Sequence, residues 1–313
     1  MHADLLDLSI IIVNYNAKAY LKKCIKSIEE TARNFSYEII VVDNNSLDGS
    51  VEMMREDFSH IKLLANNHNL GFSSANNQGA KVSRGRYLLL LNNDTLVLPG
   101  ALQTMIHIMD KNPGIGLLGC RLQNGDGTLQ QSFGKPINTF YDFFRKFITN
   151  LYTNDKNPLI GRFLVWRHST TKEVAWVKGA CMFARRQAFF DAEMMDENFF
   201  MFFEEVDLCV RIRQLGWKTV YTPDAEIVHY GGTSTSTNNL KALIEYRKSQ
   251  LYFYKKHYSK TGEYWIRFYL YCKIFKNHLM YFVQKTFTGK NTQRSSELHN
   301  VYQEILRFLQ TSH

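Results

Sequence analysis

A doubly wound, mostly parallel α/β sheet is the fold class that this 313-residue chain predicts. Three observations carry the prediction. Short β-branched or leucine-rich runs, apolar enough to be buried on both faces, recur through the first hundred residues. Stretches with helical spacing separate them, the alternation that crossover connections between parallel strands require. Three of the runs then end abruptly in Asn and Asp: Asn14-Tyr15-Asn16, Asp43-Asn44-Asn45 and Asn92-Asn93-Asp94. One such cluster is ordinary turn chemistry. Three on one edge outline a site, because sheets of this class bind ligands at the carboxyl ends of their strands.

Taken in order, residues 8–13 read as a buried strand and residues 18–32 as a helix with Leu21, Cys24, Ile25 and Ile28 on its apolar stripe. Residues 38–42 form a second strand, Leu47-Asp-Gly-Ser opens a helix, and residues 61–64 form a third strand. A helix over 76–83 leads to the fourth strand, 86–91. The pattern weakens between 120 and 175, where Gly125-Asp-Gly-Thr is a hairpin turn and 140–152 is an aromatic amphipathic segment. It sharpens again from Val174. The aromatic wall Phe199-Phe-Met-Phe-Phe203 precedes Glu204, Glu205 and Asp207, which open a helix running through Arg213 and ending at Gly216. Two short strands, 218–221 and 225–228, precede His229. No internal repeat is present.

Composition is that of a folded protein, 45% hydrophobic and 21% charged with only five prolines. The five cysteines lie far apart with no C-x-x-C pair, which argues against a zinc ribbon or a disulfide framework and fits a reducing compartment. Acidic residues stand where a signal peptide needs basic ones, and no window offers eighteen uninterrupted apolar residues. Neither a secretory signal nor a transmembrane helix is expected, and the location is cytoplasmic. The net charge of +9 is local: residues 241–313 hold 13 Lys or Arg against 4 Asp or Glu, while the first 240 are neutral. Aromatics recur among those lysines from 246 to 287, a composition suited to an anionic membrane surface and a peripheral position on the inner face of the cell membrane. The competing reading packs the aromatics on the rest of the chain with the lysines in water. No nucleic-acid module accompanies the charge.

The chemistry follows from what is missing. The turn Asn14-Tyr-Asn-Ala-Lys-Ala-Tyr20 contains no glycine, so the dinucleotide fingerprint is absent, and so is the Walker pattern. Phosphates at this edge need another neutraliser, and Asp94 holding Mg2+ or Mn2+ is the economical one. Glu204, Glu205 and Asp207 complement a helix dipole, or else supply a general base whose pKa burial has raised. The residues alone leave both readings open.

Several short stretches occur together in a fixed order. They are Ser9-Ile-Ile-Ile-Val-Asn-Tyr-Asn16, Val41-Val-Asp-Asn-Asn-Ser-x-Asp-Gly49, Asn69-x-Gly-Phe72 with Asn77-x-Gly79, Leu91-Asn-Asn-Asp-Thr95, Gly179-Ala-x-Met182, Phe203-Glu-Glu-Val-Asp-Leu208 and Val228-His229. The series, over residues 8–236, resembles family 2 glycosyltransferases of the GT-A fold, in the rhamnosyltransferase-like branch of bacterial surface polysaccharide assembly. The resemblance implies a catalytic domain over 1–239, with a nucleotide-sugar half (about 1–120) and an acceptor half (about 121–239), then a basic aromatic helical extension over 240–313.

It further implies that Val13, Asn14, Tyr15 and Asp43 hold the base and ribose of a nucleoside-diphosphate sugar, with Asn69 and Asn76 in the same pocket. Asn93 and Asp94 sit at the Asp-x-Asp place, Asp94 on the metal that bridges the diphosphate, and His229 completes the metal shell. Glu205 takes the position of the catalytic base, which resembling enzymes often fill with Asp. The implied reaction is an inverting transfer from a dTDP- or UDP-linked donor to a glycan hydroxyl, commonly on a lipid-linked acceptor. Two departures stand out: Asn92 replaces the first carboxylate of Asp-x-Asp, and Met194-Met195 replaces a glycine and an aromatic. A nucleotidyltransferase shares such a sheet but needs a glycine-rich basic loop after its first strand, which is lacking. A non-catalytic scaffold on the same fold has to account for Asp94, Glu205 and His229 occurring together.

Overall fold

The computed structural model describes residues 6–137, 162, 165–231, 239–288 and 293–311; the aromatic segment 140–152 lies outside them. Strand β1 (Leu6–Asn14) is central, with β2 (Tyr37–Asp43) and then β3 (Lys62–Ala65) on one side and β4 (Gly85–Asn92) on the other. All four are parallel, joined through helices α1 (Lys18–Thr31), α2 (Ser50–Asp57) and α3 (Gly71–Lys81). Leu8, Ile10 and Ile12 of β1 pack into one apolar layer, with Leu21, Cys24, Ile25 and Ile28 of α1, while Ile11 packs into the other. Along β4, Tyr87, Leu89 and Leu91 face the first layer and Leu88 and Leu90 the second. This two-sided burial is why the strand reads as an unbroken leucine run.

Beyond β4 the sheet changes character. Strand β5 (Thr95–Val97) and helix α4 (Ala101–Lys111) lead into β6 (Ile115–Gln123). The turn at 125–128 forms as expected, and β7 (Leu129–Gln130) folds back antiparallel on β6. Short strands β8 (Phe133–Gly134), β9 (Lys172–Glu173) and β10 (Trp176–Val177) follow, β8 pairing with β10. Strand β11 (Cys181–Arg185) then inserts antiparallel between β4 and β6. Helices α5 (Arg186–Asp191) and α6 (Glu204–Gln214) precede β12 (Lys218–His229), which runs parallel to β6 and antiparallel to β5.

Two boundaries differ from those expected. The strands predicted at 218–221 and 225–228 are one strand whose register slips between Thr222 and Glu226, where Pro223 has no N–H to donate to the ladder. Helix α3 starts at Gly71 rather than near residue 76. Asn69 Oδ1 accepts the Gly71 amide at 2.9 Å, and Gly71 takes a left-handed φ of +83°. A β-carbon at Gly71 would lie 2.6 Å from the Phe200 carbonyl oxygen, so only glycine lets this turn meet the aromatic wall.

The C-terminal helices α7 (Asn239–His257), α8 (Lys260–Val283) and α9 (Gln293–Thr311) pack on one another, a π-helical turn (Gln284–Thr288) following α8. Leu251, Phe253 and Tyr254 of α7 share an apolar cluster with Phe199, Phe203 and Val206. Among the described residues no helix is long and apolar enough to cross a membrane.

Candidate active site

Parallel register brings the polar strand ends side by side. Asn14 stands opposite Asp43, and Val13 opposite Asn92. Asn14, buried, donates from Nδ2 to Asp43 Oδ2 at 2.8 Å, while its Oδ1 accepts from Asn93 Nδ2 at 2.9 Å. The other Asp43 oxygen accepts the Ser46 amide at 2.8 Å. Three strand ends are thus tied into one buried polar chain, and Tyr15 projects beyond it, exposed. Asn44 extends the chain by donating to the Gly71 carbonyl at 3.0 Å and accepting from Asn66 at 3.0 Å. Asn69 holds the turn before α3, and Asn76 donates to Phe72 O, one helical turn back, at 2.9 Å. Asn77 bonds Met195 and Glu197, fastening α3 to the segment before the aromatic wall.

At the next strand end Asp94 and His229 meet. Both are buried, with Asp94 Oδ1 3.3 Å from His229 Nε2. Which imidazole nitrogen carries the proton follows from Gln130. Its Oε1 accepts from the Lys178 ammonium at 2.7 Å and its Nε2 donates to Asn124 Oδ1 at 2.7 Å, so the amide cannot be flipped. That same Oε1 lies 2.7 Å from His229 Nδ1, which therefore donates to it. Nε2 is left as the acceptor nitrogen, with Asn92 Nδ2 donating to it at 3.3 Å. A nitrogen lone pair and a carboxylate oxygen facing each other at this separation suit a cation shared by both. Among the described residues no three His, Cys, Asp or Glu side chains form a self-sufficient metal cluster. Asp94 and His229 could therefore hold Mg2+ or Mn2+ only with oxygens from a bound diphosphate and water, the usual manner of Mg2+ binding.

Glu205 approaches from α6. Its side chain packs against Gly179, just before β11: a β-carbon at Gly179 would meet Glu205 Cβ at 3.6 Å, an ordinary contact distance. Lys178, one residue earlier, is drawn toward both carboxylates: burial pushes its ammonium down, and Glu205 and Asp94 oppose that shift. Glu204 is buried, and desolvation, reinforced by the Glu205 charge, raises its carboxyl well above the usual range. Burial thus disfavours charge on Glu204, while its neighbour Glu205 is only partly buried. The approach is strained: Phe202 and Phe203 have φ of +72° and +68°, costly for bulky side chains and typical of functional turns. Met194 has φ of +62°, a conformation that glycine adopts without strain.

Asp207 faces away from this cleft. Fully buried, it accepts from His257 Nε2 at 2.6 Å, lies 2.7 Å from Lys256 Nζ, and receives Arg211 Nε at 2.7 Å. Burial alone would raise its pKa, but the bond from His257 and the charges of Arg211 and Lys256 hold it below the usual range.

The family profile described as "Glycosyl transferase family 2" matches residues 9–174, more than half of the chain. The chain belongs to glycosyl transferase family 2. Its relatives include the N-acetylglucosaminyl-diphospho-decaprenol L-rhamnosyltransferase of Mycobacterium tuberculosis, 25% identical over 258 residues that span 79% of this chain and 83% of that one. The low-salt glycan biosynthesis hexosyltransferase Agl10 of Haloferax volcanii is 27% identical over 212 residues, 66% of this chain and 62% of that one. GalNAc-T7, in a crystal structure with UDP, GalNAc and Mn2+, superposes with a TM-score of 0.54 at 17% identity, over 80% of this chain and 48% of that chain. This last likeness is one of fold. The GT-A architecture and glycosyl transfer as the activity class of this family 2 member follow.

Two residues at the site went unnoticed in the sequence. Lys178 adjoins the quoted Gly179-Ala-x-Met182 stretch and was legible there as a cation beside a site motif. Gln130 carried no signal of its own; only the β7 hairpin brings it against His229.

Proposed function

We propose that this glycosyltransferase moves a sugar from a nucleoside-diphosphate donor to an acceptor hydroxyl with inversion, in cell-surface polysaccharide or lipopolysaccharide assembly. The observation that carries the reading is the Asp94–His229 pair, its imidazole oriented by Gln130, with Lys178 electrostatically linked to both Asp94 and Glu205. Rhamnose on dTDP is the leading donor because a rhamnosyltransferase aligns along most of the chain; UDP-linked hexoses are the runner-up. The same relative's name supports a lipid-linked acceptor and, with it, a reaction at the cytoplasmic face of the cell membrane. In this reading residues 1–239 are the catalytic domain and 240–313 an extension.

Val13, Asn14, Tyr15 and Asp43 receive the nucleoside, Asn69 and Asn76 supporting that wall and Asn93 locking Asn14. Asp94 and His229 would hold Mg2+ or Mn2+, which when bound would neutralise charge on the diphosphate. Lys178 adds a fixed positive charge at the place where the diphosphate departs. Glu205 removes the acceptor proton, and the resulting oxygen attacks the anomeric carbon opposite the leaving group, so one displacement inverts the configuration. The raised pKa of buried Glu204 limits the second negative charge beside Glu205. Transfer from dTDP-rhamnose and UDP-sugars to an N-acetylglucosaminyl-diphospho-polyprenol tests the reading. Glu205→Gln should lose roughly 10²–10⁴-fold in rate with donor binding retained. A near-wild-type rate would remove Glu205 as the base.

A further inference from the structure

The aromatic tail divides into two parts that the structure treats differently. Tyr252, Phe253, Tyr254 and Tyr258 of the first part pack inward against the catalytic body and one another. Helix α8 instead is apolar on opposite sides. Ile266, Leu270 and Ile274 are buried in the cluster that holds Val301, Tyr302, Ile305 and Leu309 of α9. On the outer side Tyr264, Trp265, Phe268, Phe275, Leu279 and Phe282 are each more than half exposed. Apart from the adjacent pair Tyr264 and Trp265, their spacings of three, four and seven residues keep them on one face, a stripe about 27 Å long at the helical rise. A solvated aromatic stripe of that length is far more than scattered surface apolarity.

Charge indicates what covers it. Lys260, Lys276 and Lys285 are exposed along and at the ends of this face, and no Asp or Glu occurs from residue 264 to 296. The acidic residue just before the stripe, Glu263, is paired with Arg267 at 2.9 Å. Burial, with Arg247 and Lys276 close by, pushes Lys273 down to about 8, as expected of a strongly positive neighbourhood.

We propose that the outer face of α8 lies flat in the headgroup layer of an anionic bilayer, its aromatics inserted and its lysines on lipid phosphates. The helix is too polar to span, so it lies in the interface plane, with Tyr264 and Trp265 at headgroup level. Asp207 ties α6, which carries Glu205, to α7 through Lys256 and His257, and α7 packs on α8. The catalytic helix is thereby held at a fixed height above the surface on which a lipid-linked acceptor is presented. This deepens the membrane-side location proposed above and rests on that reading. Vesicle binding needs no turnover, so the two readings fail separately.

The test is co-flotation of the full chain with phosphatidylcholine vesicles, with and without phosphatidylglycerol. Binding is expected only with phosphatidylglycerol, falling with salt, and roughly tenfold or more weaker in Phe268→Ser/Phe275→Ser and in Lys276→Glu/Lys285→Glu. Thermal midpoints should be unchanged, since these side chains are exposed. Absence of binding to either vesicle overturns the proposal, and so does wild-type affinity in the Phe268→Ser/Phe275→Ser variant. A lipid-free dimer in light scattering that this variant dissociates also overturns it, by making the face a contact between copies of the chain.

Discussion

Replacing Asp207 with Asn removes one charge from the contact between α6 and the C-terminal helix α7. The side chain is fully buried, with His257, Lys256 and Arg211 at 2.6, 2.7 and 2.7 Å. The three partners do not suffer equally. Lys256 keeps Asp196 at 2.6 Å and is partly exposed, so the loss falls on His257 and Arg211, which are left facing a neutral amide. Breaking a buried ion pair costs roughly 3–5 kcal/mol, and the alternative partner for Lys256 places this case near the low end, about 3 kcal/mol. For a chain of this size that is a fall in melting temperature of about 5 °C.

The pH dependence has a definite sign. The Asp207 pKa is depressed, so its stabilisation is present above the ordinary value of 3.8 and disappears as pH falls through the folded-state value. Melting of wild type and variant should therefore differ at pH 7 and converge below about pH 4. Limited proteolysis at pH 7 should release α7 to α9 first in the variant. A melting temperature within about 1 °C of wild type at pH 7, or a gap that persists in acid, would refute the clamp.

Gln130→Met removes the acceptor shared by His229 and Lys178; Mn2+-dependent stabilisation by dTDP or UDP should weaken about 10–100-fold in apparent metal affinity, read by thermal-shift titration. Glu204→Gln should stabilise the protein increasingly above pH 4.5. The raised carboxyl must stay protonated in the fold while the unfolded chain loses its proton, a penalty growing by up to about 1.4 kcal/mol per pH unit. Equal melting curves for wild type and Glu204→Gln from pH 5 to 8 would mean that Glu204 is ionised in the fold. Gly71→Ala combines a left-handed backbone with a β-carbon 2.6 Å from the Phe200 carbonyl, and a loss of about 2–4 kcal/mol is expected in urea unfolding.

The sequence by itself determined the parallel half of the sheet and the place of its polar edge. Strands β1, β2 and β4 are buried on both faces, and such strands announce themselves locally as unbroken apolar runs. Their polar ends were equally visible, and adjacency in the sheet turned Asn14, Asp43 and Asn93 into one hydrogen-bonded chain. Local pattern encodes period and burial; it does not encode which distant segment lies alongside. So only the tertiary structure put β11 antiparallel between β4 and β6, swung Gln130 onto His229, and gave neighbouring Glu204 and Glu205 different surroundings. Asp207 stands within two residues of the candidate base, yet its partners Lys256 and His257 come from a helix about fifty residues later. The same non-local packing sorted the aromatic tail: α7 found the apolar surface behind Phe199 and Phe203, α9 covered one side of α8, and the other side of α8 was left facing solvent.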